Sequence, residues 1–76
     1  MDRLCYVTGY KISSARYGWV RNVHHVYGHI IDVYWTLSRN HAMSMDLNTA
    51  YRIHAYLNDR GIAHDCDNDV ISYNER

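Results

Sequence analysis

The chain has 76 residues, 47% hydrophobic and 13% aromatic, with eight basic and eight acidic side chains and a formal charge of zero. That length holds one domain with one small core, which excludes a second domain, and a hydrophobic share this high excludes a chain that stays disordered. Neutrality argues against a dedicated nucleic-acid binder, whose affinity rests on neutralising phosphate, and against an acidic nucleic-acid mimic.

The N-terminal stretch MDRLCYVTGY lacks the basic start and apolar run of a secretory signal, and no run of about 18 apolar residues is present to span a bilayer. The expectation is a cytoplasmic protein with no membrane partner. Small disulfide-stapled domains carry four or more cysteines, so Cys5 and Cys66 are expected to be free thiols.

Apolar alternation begins in LCYVTGYKI, where Leu4, Tyr6, Thr8, Tyr10 and Ile12 share one strand face and Cys5, Val7, Gly9 and Lys11 the other. SSAR reads as a turn. A second strand is predicted over 17–27, with Tyr17, Trp19, Arg21, Val23, His25 and Tyr27 on one side and Val20, Asn22, His24 and Val26 on the other. Gly28 then breaks the chain into a hairpin. The third strand, over 29–37, directs Ile31, Val33, Trp35 and Leu37 toward a helix and Ile30, Asp32, Tyr34 and Thr36 away from it.

The helix is signalled by MDLNTAYRIHAYLNDRGI. Asp46 accepts from the unpaired amides of the first turn, and its charge suits the positive end of the helix dipole. Leu47, Ala50, Ile53, His54 and Leu57 recur at helical spacing as the buried stripe, leaving Asn48, Thr49, Arg52 and Tyr56 outside. Gly61 ends the helix and lets Ile62 close back over Leu57. A last strand is expected around Val70 to Tyr73, with DCDND as the loop before it or the turn of a short hairpin. The order strand, strand, strand, helix, strand defines an α+β domain: an antiparallel sheet of three to five strands with one helix on one face.

Candidate chemistry is sparse. His24, His25 and His29 crowd one stretch, but neighbours on a strand point to opposite faces, and a zinc site would need Cys5, His64 and Cys66 to converge on them. Asp65, Asp67 and Asp69 occupy the first, third and fifth positions of a calcium loop, yet the sixth position is Val70 rather than glycine and the twelfth is Arg76 rather than glutamate. Neither cysteine sits in a nucleophile context, no glycine-rich loop is placed to cradle phosphate, and no carboxylate pair is set on adjacent core elements. The expectation is a protein that is not an enzyme and holds no cofactor or metal, with a small metal-binding protein as the third-ranked alternative.

Two features remain. Residues 1–45 carry Arg3, Lys11, Arg16, Arg21 and Arg39 against Asp2 and Asp32, a net +3, and the remainder of the chain carries −3. Eight tyrosines and two tryptophans exceed what one small core hides, so several of Tyr6, Tyr10, Tyr17, Trp19, Tyr27, Tyr34 and Tyr56 must stay partly exposed. With seven of the eight basic residues arginine, the surface offers the residue types of protein-interface hot spots, which also stack on single-stranded bases. The plain alternative is that these aromatics brace a thin sheet.

The segment DVYWTLSRNHAMSMDLNTAYRIHAYLNDRG, an aromatic strand, a short polar loop and a capped helix with Ala50 and Ile53 turned inward, resembles very small phage-encoded inhibitors of the anti-CRISPR type. The resemblance is one of form and assigns no residue a role. It implies a phage-borne inhibitor in the host cytoplasm that occupies an essential site on a host protein or ribonucleoprotein complex through protein–protein contacts. Arg16, Tyr17, Trp19, Arg21 and Tyr27, read as alternating on one face of the second strand, together with Tyr34, are the expected partner-binding residues. Direct nucleic-acid contact by a single-stranded nucleic-acid-binding module is the second reading, and a homodimer through an open edge strand stays open.

Overall fold

The structure, a computed structural model, describes the backbone of residues 3–75 and the side chains of residues 9–68. Its elements are β1 (Arg3–Ser14), β2 (Gly18–Val26), β3 (His29–Thr36), a 3-10 turn (Arg39–His41), α1 (Leu47–Asp59) and β4 (Asp65–Glu75). The strands form one antiparallel sheet in the order β3-β2-β1-β4, with α1 against one face, where it meets β1 and β3. This is the α+β layout the sequence predicts. Among the described residues no helix is long and apolar enough to cross a membrane.

Local chemistry explains the best-read elements. Asp46 caps α1 by accepting from the Thr49 N–H at 2.8 Å. At the other end Gly61 has a φ of 68°, its N–H donates to Asn58 O at 3.0 Å, and the Ile62 N–H donates to Leu57 O at 2.9 Å. These are the two paired bonds of a glycine-terminated helix, and Ile62 packs onto the core beside Leu57. Tyr27 and Gly28, with φ of 51° and 79°, make the two-residue turn between β2 and β3. Positive φ at both central positions matches the right-handed twist of the flanking strands.

The core joins Ile12, Val20, Val33, Met45, Ala50, Ile53 and Leu57. Several expectations about its faces are corrected. In β2 Arg21 is an extra residue, because Val20 pairs with Trp35 while Asn22 pairs with Tyr34; in β3 Ile31 is extra, because His24 pairs with Asp32 and His25 with Ile30. Each bulge shifts the alternation by one, so Val20 and Val23 share the helix side, and Ile30 packs on the core in place of Ile31. Leu37, just past the end of β3, is 91% exposed. On the helix, His54 is exposed and Leu47 half-exposed, whereas Tyr56 packs on the core and donates its hydroxyl to Ile31 O at 3.3 Å.

DCDND is strand, not loop. Asp65 through Asp69 pair with Ser13 through Gly9, which sets Asp67 opposite Lys11. Poor strand formers are tolerated because a partner strand supplies their hydrogen bonds and a cross-strand opposite charge supplements them.

β1 and β2 form a hairpin only at its closed end, through Ser13–Trp19 and Ser14–Gly18. Beyond it the strands part, and residues 43–45 fill the gap: the Met43 N–H donates to Val20 O at 3.0 Å, and Tyr10 and Met45 exchange two bonds of 2.9 Å. The two strand pairs β1–β4 and β2–β3 therefore diverge from one turn. The radius of gyration is 13.8 Å with extents of 48 × 28 × 15 Å, against about 11 Å for a compact chain of this length.

Candidate functional site

Strand parity places Trp19, Asn22, Tyr34, His24 and Asp32 on the face of β2–β3 turned away from α1, opposite to Val20 and Trp35. Arg39 completes this surface. Its guanidinium lies 5.5 Å from the centroid of the Trp19 ring, and its carbonyl accepts from Lys11 Nζ at 3.3 Å, so the 3-10 turn folds over the strands. Arg21, pushed out by the bulge, lines a shallow hollow of about 420 Å³ with Asn22, Tyr34 and Trp35. Tyr34 is 47% exposed.

The six residues expected to bind a partner do not share one face. Arg21 and Tyr34 line this hollow and Trp19 lies on the same outer face, but Tyr17 stacks on Trp35 with centroids 5.3 Å apart and planes at 28°, and Arg16 lies 5.3 Å over the Tyr17 ring. That pair belongs to the end of the sheet near Arg60–Ala63, where Ser14 Oγ accepts from the Arg16 N–H at 3.2 Å. Tyr27 stands alone at the hairpin tip, 98% exposed. Arg39 was not legible as a member, because its position depends on a loop returning over β2. A third guanidinium, that of Arg60, sits 4.3 Å over the Tyr56 ring.

The histidines do not gather where the sequence crowds them. His24, His25 and His29 are exposed along the β2–β3 hairpin, whereas His54 and His64 meet across the helix end, with Nδ1 of His54 2.6 Å from Nε2 of His64. The roles follow from the one acceptor-only group in the chain of contacts. Ile62 O accepts from His64 Nδ1 at 2.8 Å, so the neutral His64 ring offers its Nε2 lone pair to His54 Nδ1–H, and His54 Nε2 faces the Asn58 amide at 3.3 Å. Among the described residues no three histidine, cysteine or acidic side chains are grouped to hold a metal. Cys5 pairs with Tyr73 and Cys66 with Ile12, seven positions apart along β1, or about 23 Å. They are too far apart to bond to each other or to share a metal, and Cys66 is a free, exposed thiol.

Cys66 borders a groove of about 270 Å³ between α1 and the β1–β4 pair, with Tyr10, Leu47, Tyr51, His54 and His64 among its walls. Partial burial, and then the charge of Asp67, push the Cys66 thiol above its ordinary value. Less of it is thiolate, the form a nucleophile or metal ligand needs. At the start of α1, the Thr49 hydroxyl and backbone N–H, followed by the charge of Arg52, hold the Asp46 carboxyl below its ordinary value.

Comparison of the chain with protein-family models, curated proteins and solved structures finds no match.

Proposed function

We propose that this protein is a small non-enzymatic inhibitor of the anti-CRISPR type, which binds a host nucleic-acid-processing or defence complex through protein–protein contacts. The surface that makes the contact is the outer face of β2–β3, with Trp19, Arg21, Tyr34 and Arg39. One observation favours protein over nucleic acid as the partner: the ring faces of Trp19, Tyr17 and Trp35 are already engaged within the chain. Arg39 lies over Trp19, and Tyr17 is stacked on Trp35 beneath Arg16. Base stacking needs a free ring face, whereas an interface hot spot uses edges, guanidinium donors and a rigid aromatic body.

The test is a pull-down of the tagged protein from bacterial lysate, split into nuclease-treated and untreated halves. The expected result is one stoichiometric protein complex recovered equally from both. Recovery that collapses with the nucleic acid, and falls steeply as salt rises, would replace this reading with a single-stranded nucleic-acid-binding module.

A further inference from the structure

The open edge of β1 is bounded and symmetric. Tyr10 sends both its N–H and its carbonyl to Met45, away from β4. In an antiparallel ladder successive residues face opposite edges, so Thr8, Tyr6 and Leu4 direct their backbone groups the same way, while Gly9, Val7, Cys5 and Arg3 bond across to β4. Among the described residues no strand pairs with that edge at positions 3–9, since β2 meets β1 only at Ser13 and Ser14. Met45 closes the edge at Tyr10. What remains is three residues with three donors and three acceptors, and an unpaired strand edge is a template for pairing with another chain.

We infer that this edge binds a second copy of the chain, β1 against β1, antiparallel and two-fold symmetric about Tyr6. The register is dictated by the three outward-facing residues. Tyr6 opposes Tyr6 of the second copy and Leu4 opposes its Thr8, so all six backbone groups are satisfied with none left over. The flanking positions are compatible: Arg3 falls opposite Gly9 and Cys5 opposite Val7, so no like charges face one another. A formal charge of zero adds no net repulsion between copies. The product is a continuous β4-β1-β1-β4 sheet, and a closed two-fold pairing leaves that edge unavailable for further growth. The inference is independent of the β2–β3 surface and of the function proposed for it.

Two measurements test it. Light scattering on the purified full chain is expected to give twice the 9.0 kDa chain mass at high concentration. Amide hydrogen exchange is expected to slow at Leu4, Tyr6 and Thr8 as concentration rises, while Cys5, Val7 and Gly9 stay protected throughout. Tyr6→Pro, which removes an outward N–H and no bond to β4, is expected to return the monomer mass at the same concentration. Val7→Pro, which removes a β1–β4 bond, checks that a folded ribbon is required. A monomer at every concentration, or a dimer whose Leu4, Tyr6 and Thr8 amides exchange freely, would overturn the pairing.

Discussion

Tyr10 and Met45 exchange two backbone hydrogen bonds of 2.9 Å, and through them a loop residue occupies the position that β2 would hold in a regular hairpin sheet. Met45 is buried with Ile12, Val20 and Ile53, so one residue both fills the divergence of the strands and joins the core beneath it. Met45→Ala keeps the backbone bonds and removes the packing, and is expected to cost about 2–3 kcal/mol in urea unfolding. Met43→Ala, at a half-buried site, is expected to cost less.

Gly18 and Gly28 both have positive φ, 97° and 79°, but a side chain would meet different surroundings. A Cβ on Gly18 would lie 2.5 Å from the carbonyl oxygen of Thr36, whereas nothing lies within 4 Å of one on Gly28. Gly28→Ala is expected to carry only the left-handed backbone cost of about 1–2 kcal/mol. Gly18→Ala adds a backbone clash between β2 and β3, and its melting temperature is expected to fall well below that of Gly28→Ala.

Asp46 links helix stability to acid. Its carboxyl titrates below its ordinary value near 3.8 because the ionised form accepts from Thr49, so its contribution is complete above that value and is lost as pH falls through the lower folded one. Asp46→Ala is expected to lower the melting temperature at pH 7, and the gap from wild type to narrow toward pH 2. A gap that stays constant across that range would show that the cap does not depend on the charge.

The His54–His64 contact fixes two tautomers. With both rings neutral, each is expected to carry its proton on Nδ1, as the acceptor Ile62 O requires of His64 and as the His64 Nε2 lone pair then requires of His54. Two-bond proton–nitrogen spectra of the imidazoles read this directly, and an Nε2–H form at His64 would contradict the geometry.

The helix was legible because its signals are local: Asp46 before the first turn, Ala50, Ile53 and Leu57 at helical spacing, and the Gly61–Ile62 stop. The first three strands were legible from alternation and from the turn at Gly28. What failed to show depends on partners distant in sequence. The bulges at Arg21 and Ile31 invert faces that a strict two-residue period assigns, which is why Val20 and Val23 share a side and Ile30 displaces Ile31, while Tyr17 parts from Trp19 because it lies in the turn before Gly18, outside β2. The acidic run from Asp65 to Asp69 lacks strand propensity and becomes strand because β1 supplies the ladder. Arg39 joins the candidate surface only after the chain has turned back over Trp19, and His54 meets His64 only after the helix has ended.

The most direct test of the proposed contact is recovery of the nuclease-resistant complex by a Tyr34→Ala, Arg39→Ala double variant whose melting temperature matches wild type. Both side chains are exposed and outside the buried cluster, so the fold is expected to survive their truncation. Loss of the complex at least tenfold, which corresponds to about 1.4 kcal/mol, is the expected result. Undiminished recovery would show that the outer face of β2–β3 does not make the contact.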